Sequence, residues 1–317
     1  MIDKPLLVIS IIANLLGLSG VADRCDSALA LYQAGNVSTV TASRSIDEIG
    51  FPEIISLPSV KVFSQRPSIS AKNYLLGDLE SGKILLSEAA SDSVAIASTT
   101  KIMTAVVALD KYNVDDVVTV SEAATTQIGS SVFLRVGEQI TVKELLHCLL
   151  IKSGNDSAYA LAEHLSGEGV NGFVELMNKK ALELDLKSTR FLDPAGLNDE
   201  GKSSAEDLFK LTRHALKNQA FSDIVSLDKY TAKNTTGTIS HPLENSNRLV
   251  GEFDYIGAIG VKTGYTPVAG HCLVSAVERE GHTLIGVVLN TYSDTATASA
   301  LESRKLMDWG WQNIEWR

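Results

Sequence analysis

Ser98 and Lys101 stand three residues apart in Ile96-Ala97-Ser98-Thr99-Thr100-Lys101, a spacing that puts a hydroxyl and an amine on one face of a helix. A hydroxyl beside an uncharged amine is a nucleophile beside a base, the combination needed for acyl transfer through a serine ester. Two more short motifs follow in order, Ser153-Gly154-Asn155 and Lys262-Thr263-Gly264. None is selective alone. Ser226-Leu227-Asp228-Lys229 repeats the first spacing and Lys152-Ser153-Gly154 nearly repeats the third. By itself Ser98 reads as a plain N-cap, and Ser153-Gly154-Asn155 as a turn. Context separates the three from their copies: Ser98 opens a helix behind the small residues Ala95 and Ala97, Ser153 falls between two helices, and Lys262 ends a strand that another strand follows.

The elements that must position these residues can be read from periodicity. Asn73 to Glu80 and Lys83 to Glu88 flank Ser81-Gly82 as a β-hairpin. Helical spacing of apolar residues covers 99–112 and resumes from Val142, and Asp156 and Ser157 are placed to cap a helix that Gly167 closes. Helices around Asn171 to Leu184 and Ser203 to Lys217 make the middle of the chain mostly helical. Three strands then follow, 258–264, 271–278 and 283–290, and a last helix runs from about Ala296. A hairpin, a run of helices, three strands and a helix predict an α+β fold: an antiparallel sheet assembled from both ends of the chain, flanked by helices, with a helical lobe inserted.

The 317 residues are 44% apolar and 21% charged, near the globular average, so neither disorder nor a polytopic membrane protein is indicated. A formal net charge of -10 without any basic tract argues against nucleic acid as a partner. At the N-terminus, Lys4 precedes an apolar run from Pro5 to about Leu18 and small residues up to Ala22. Residues 1–22 therefore read as a cleaved signal peptide or as an N-terminal membrane anchor. Either reading places the remainder outside the cytoplasm, periplasmic or otherwise extracytoplasmic, with any membrane contact made through that segment. Residues 23–70, rich in Ser, Asp and Thr, read as a spacer, and 71–317 as the catalytic domain. Three cysteines give no disulfide framework, and none stands with histidine at metal-ligand spacing. Cys148 and Cys272 read as small buried hydrophobes, while Cys25 lacks the small apolar residues expected before a lipidated cysteine.

The three motifs in these contexts are the signature of the penicillin-recognising serine enzymes. Through IASTTKIMTA, LLIKSGNDSAYALAEHLSG, FLDPAGL with SSAEDL, NSNRLV and GVKTGYTPVAGHCLVSA, the chain resembles the serine-type D-alanyl-D-alanine carboxypeptidases, the low-molecular-weight penicillin-binding proteins, over about 70–314. The resemblance implies a β-lactamase/DD-peptidase-like, transpeptidase-type domain. It would remove the terminal D-alanine of peptidoglycan stem peptides and be inhibited covalently by β-lactams, with neither metal nor organic cofactor. In the chemistry it implies, Lys101 takes the Ser98 proton and Ser153 relays one to the departing D-alanine. A free lysine titrates near 10.4, so Lys101 needs desolvation and a second cation, which Lys262 supplies; which of the two is neutral stays open. Asn155 would meet the substrate backbone, Lys262 and Thr263 its carboxylate, and Gly264 and Tyr265 complete the strand, with the Ser98 and Tyr265 amides forming the oxyanion hole. No basic residue follows the last strand in NTYSDTATAS, where the family often has one. Arg248 is the candidate substitute, set against its reading as a solvated surface arginine. Three other functions remain open: a D,D-endopeptidase of the same family, a serine β-lactamase, for which no Glu-x-x-Leu-Asn stretch is found, and an acylated envelope sensor.

Overall fold

The computed structural model describes residues 57–165, 168–291 and 295–317. The N-terminal signal or anchor, the spacer up to residue 56, Cys25 and Gly167 lie outside the described residues.

The hairpin is formed by β1, Asn73–Asp78, and β2, Ile84–Glu88. A 3-10 turn at Ala97–Thr100 runs directly into α1, Lys101–Lys111. The inserted lobe continues with α2, Val142–Leu150, α3, Asn155–Glu163, α4, Gly169–Glu183, α5, Ala205–Ala215, and α6, Gln219–Val225. The chain then returns as β3, Ala258–Thr266, β4, Gly270–Arg279, and β5, His282–Thr291, before α7, Ala298–Asn313.

These five strands make one antiparallel sheet in the order β3-β4-β5-β1-β2. Strands from both ends of the chain meet where Val287 pairs with Leu75 and Gly286 with Leu76, the closure predicted from the element order. Alternation decides which side chains go where. Leu75, Ile285 and Val287 pack into the core shared with the helical lobe, whereas Tyr74, Leu76, Leu284 and Val288 pack with Leu306, Met307 and Trp309 of α7. Coverage of both faces explains why β1 is buried at every position and carries consecutive apolar residues, Tyr74, Leu75 and Leu76, at its centre. Helix α1 is buried from Lys101 to Ala108 and is the axis of the lobe. Apart from Lys101 and Thr104 that stretch is apolar, which fits a helix enclosed all round.

Several elements carried no usable sequence signal. The stretch from Leu57 to Ser70, read as spacer, lies along the last helix: Pro58–Val60 pairs with Ile314–Trp316, the Trp309 indole donates to Gln65 O and Ser70 N donates to Glu302. A second hairpin, Lys229–Lys233 with Ser240–Glu244, was not anticipated, because its strands are polar and bury few side chains, among them Ala232, His241 and Leu243. The expected Asp156 cap is also corrected. Gly154 is the N-cap of α3, Asp156 is inside its first turn, and the Asp156 carboxylate faces the loop at 131–134.

Helix α5 approaches the sheet closely enough that a Cβ on Gly77 would lie 2.5 Å from Cζ of the buried Phe209. Gly77→Ala is expected to destabilise the protein by about 1–3 kcal/mol. In urea unfolding this appears as a lower midpoint at an unchanged slope.

Candidate active site

Burying an amine without partners is costly, and Lys101, fully enclosed by the lobe, has three of them. Its Nζ lies 2.7 Å from each of Ser98 Oγ, Asn155 Oδ1 and Ala195 O. As a neutral amine it donates to the two carbonyl-type oxygens and presents its lone pair to the Ser98 hydroxyl, so all its hydrogen-bonding capacity is matched without a net charge. Burial is the largest influence on this amine and the Lys262 cation the next. Together they hold it well below the ordinary lysine range, against the opposing pull of Asp193 and Asp156. Lys262 is buried too, and burial alone brings it down to about 7. Both lysines are thus pushed toward the neutral form, and loss of one proton from the pair relieves burial and mutual repulsion together.

Local backbone geometry holds Ser98 in place. Ser98 sits within the 3-10 turn rather than capping a helix, and its neighbour Ala97 has φ +47°, in the left-handed region. Ser153, in the loop between α2 and α3, has φ +68°. Such conformations persist in non-glycine residues when the surroundings over-determine them, and they gather at functional sites. Two close approaches supply that constraint. At Gly264 an added Cβ would stand 2.9 Å from Ile96 O and 3.0 Å from Ser98 N, so β3 lies directly on the turn. At Gly196 it would stand 2.0 Å from Ala97 O. The loop carrying Gly196 is itself pinned by Asp193, whose carboxylate accepts from the backbone N–H groups of Ala195, Gly196, Leu197 and Asn198, while Thr104 Oγ1 donates to Pro194 O. Asp193 thereby aims Ala195 O at Lys101.

The sequence-derived residues converge on one cleft of about 1460 Å³, lined by Ser98, Ser153, Asn155, Thr263, Gly264, Tyr265 and Arg248 among others. Lys262 lies beneath, donating to Thr263 O at 3.2 Å. Asn155 Nδ2 donates to Ile128 O, so this side-chain amide already serves the protein at both ends, with one donor and one acceptor position left over. Arg248 reaches the cleft, but its guanidinium is ion-paired with Glu252. The competing Ser226 and Lys229 are not brought together: the Ser226 hydroxyl donates to Asp223 O, and Lys229 pairs with Glu244. Sequence reasoning missed Ser246, whose Oγ accepts from Thr263 Oγ1 at 2.8 Å, assigned no role to Asp193, and gave Asp156 only a helix cap. Their only sequence signal was membership of the NSNRLV, FLDPAGL and SGND stretches.

A serine hydroxyl against a buried amine held well below the ordinary lysine range, at the seam between an antiparallel sheet and a helical lobe, defines a serine acyl-transfer enzyme. The family profile described as D-alanyl-D-alanine carboxypeptidase, peptidase S11, matches residues 60–293, and the chain belongs to that family. It is 38% identical over 252 residues to a D-alanyl-D-alanine carboxypeptidase of Bacillus subtilis, an alignment that covers 77% of this chain and 63% of that protein. The D-alanyl-D-alanine carboxypeptidase of Streptomyces sp. K15 is 37% identical, with 77% of this chain and 88% of that protein covered. The crystal structure of the Streptomyces K15 DD-transpeptidase superposes with a TM-score of 0.72 at 35% identity, covering 78% of this chain and 99% of the other.

Gly264→Ala is expected to push β3 away from the 3-10 turn and lower covalent labelling of Ser98 by a fluorescent penicillin by two orders of magnitude or more, in line with the ~10²-fold losses that ångström-scale misplacement produces. Gel fluorescence against time measures it.

Proposed function

We propose that the protein is a serine D-alanyl-D-alanine carboxypeptidase of the bacterial cell envelope, removing the terminal D-alanine of peptidoglycan stem peptides through an ester at Ser98. The observation that carries this reading is the 2.7 Å contact between Ser98 Oγ and the buried Lys101 amine. In acylation, Ser98 Oγ attacks the carbonyl carbon of the penultimate D-alanine as Lys101 takes the hydroxyl proton. The negative oxygen of the tetrahedral adduct is met by the backbone N–H groups of Ser98 and Tyr265. The C–N bond then breaks, and D-alanine departs as an amine with a proton passed through Ser153. Water attacks the ester, Lys101 again accepts the proton, and the shortened peptide leaves with Ser98 restored.

Lys262 and Thr263 receive the terminal carboxylate. The Ser246 hydroxyl orients Thr263 for that contact, and one unused Asn155 position meets the peptide backbone. Arg248 contributes to carboxylate binding once freed from Glu252. A β-lactam enters by the same acylation, but its leaving amine stays tethered to the acyl group and obstructs the water, so the ester is long-lived. Residues 1–22 export the enzyme or anchor it. Among the described residues no helix is long and apolar enough to cross a membrane.

Ser98→Ala is expected to abolish both penicillin labelling and release of D-alanine from diacetyl-Lys-D-Ala-D-Ala; persistent release from a clean preparation would remove Ser98 from the mechanism. Digestion of purified muropeptides is expected to shorten stems by one D-alanine while leaving cross-linked dimers intact, as read by mass spectrometry, and dimer cleavage would make the protein an endopeptidase instead. The acid limb of acylation reports protonation of Lys101, which then cannot accept the serine proton. Because Lys262 lowers the Lys101 pKa, Lys262→Met is expected to raise it. The limb should move to higher pH on top of an overall rate loss, measured as penicillin acylation from pH 4 to 9.

A further inference from the structure

Phe133 combines three properties that folding alone does not require. It is 81% exposed, while its neighbours Val132 and Leu134 are buried. Its φ is +61°, a region that a bulky aromatic residue rarely occupies. It also lines the cleft that holds Ser98.

The surrounding loop is braced so that this conformation cannot relax. Ser131 Oγ accepts from Phe133 N at 2.9 Å and donates to Asp156 Oδ2, which also accepts from the N–H groups of Val132 and Leu134. From the opposite side, the buried His241 bonds through Nδ1 to Val132 O at 3.0 Å and through Nε2 to Glu138 Oε1 at 2.8 Å, and Glu138 Oε2 accepts from Arg135 N. A strained aromatic residue braced on both flanks and turned out toward solvent is the pattern of a ligand clamp, not of a core or a tolerant surface.

Its position in the cleft indicates which part of a ligand it meets. Lys262 and Thr263 lie on the sheet side, where the proposed mechanism places the terminal carboxylate. Phe133 belongs to the helical lobe, on the loop whose Ser130 O accepts from Asn155 N, the residue to which the proposed mechanism gives the peptide backbone. We propose that Phe133 is a specificity-determining residue, an apolar wall that packs against the aliphatic or aromatic group carried by the acyl donor. In a stem peptide this is the hydrocarbon part of the chain ahead of the penultimate D-alanine; in a penicillin it is the acylamino side chain.

The inference rests on Ser98 being the acylated residue, and two penicillins that differ only in that side chain test it. Second-order acylation constants are measured with benzylpenicillin and with 6-aminopenicillanic acid, which lacks the acyl group, for wild type, Phe133→Ala, Phe133→Leu and Phe133→Gly. Loss of an aromatic contact corresponds to about tenfold. Phe133→Ala is therefore expected to slow benzylpenicillin by about tenfold and 6-aminopenicillanic acid by less than twofold, with Phe133→Leu recovering most of the difference. Phe133→Gly, which adopts positive φ without strain, is expected to keep or raise Tm while losing the same selectivity. A purely structural role predicts the opposite pattern. Equal slowing of both compounds, unchanged selectivity, or a lower Tm in Phe133→Gly would overturn the role of Phe133, whereas a wild-type protein that neither compound acylates would overturn the Ser98 reading beneath it.

Discussion

The cost of enclosing a lysine side chain with no carboxylate hydrogen-bonded to it organises this molecule. Lys101 Nζ contacts a hydroxyl, an amide oxygen and a backbone carbonyl, and each comes from a different part of the chain: the turn ahead of α1, the start of α3 and the loop at 193–198. No single segment could satisfy the amine. The environment instead favours its uncharged form, and a second buried lysine reinforces that choice. Partners that a charged lysine would need for stability are replaced by partners suited to a base.

The restraints around that amine are mostly main-chain. Asp193 gathers four backbone N–H groups, Asp156 holds the loop at 131–134, and two glycines allow strand and loop to touch the turn carrying Ser98. Carboxylates that accept several N–H groups are strong, geometrically demanding anchors. Here they serve as braces: Asp156 ties the loop at 131–134 to α3, and Asp193 closes the loop at 193–198 on itself. Side chains that line the cleft are thus held by residues outside it, which is how a site stays preorganised at the sub-ångström level.

Ser98 with Lys101, the interhelical Ser153 loop and the strand bearing Lys262 could be read directly because each motif sits on an element with its own local periodicity. The sheet closure was legible for the same reason: long apolar runs at both ends of the chain need one another. What escaped the sequence lacks such locality. Ser246 matters through Thr263, 17 residues away, His241 through Glu138, 103 residues away, and Phe133 through a φ angle that its residue type argues against. The hairpin at 229–244 was invisible because polar strands that bury only alternate side chains resemble a loop. Arg248 shows the reverse case, a residue that reaches the cleft as expected but with its charge already paired to Glu252.

The turn carrying Ser98 and strand β3 belong to opposite halves of the architecture, joined where Gly264 rests on Ile96 and Ser98 without any intervening side chain. A joint of that kind has no compliance, since there is no flexible group between the two bodies to absorb a displacement. Any shear of the helical lobe along the sheet therefore separates the Ser98 hydroxyl from the backbone of β3 before it disturbs either hydrophobic core. Catalytic competence in such a molecule is a sensitive gauge of the alignment of its two halves, and should fade on warming or in mild denaturant ahead of any change in secondary structure.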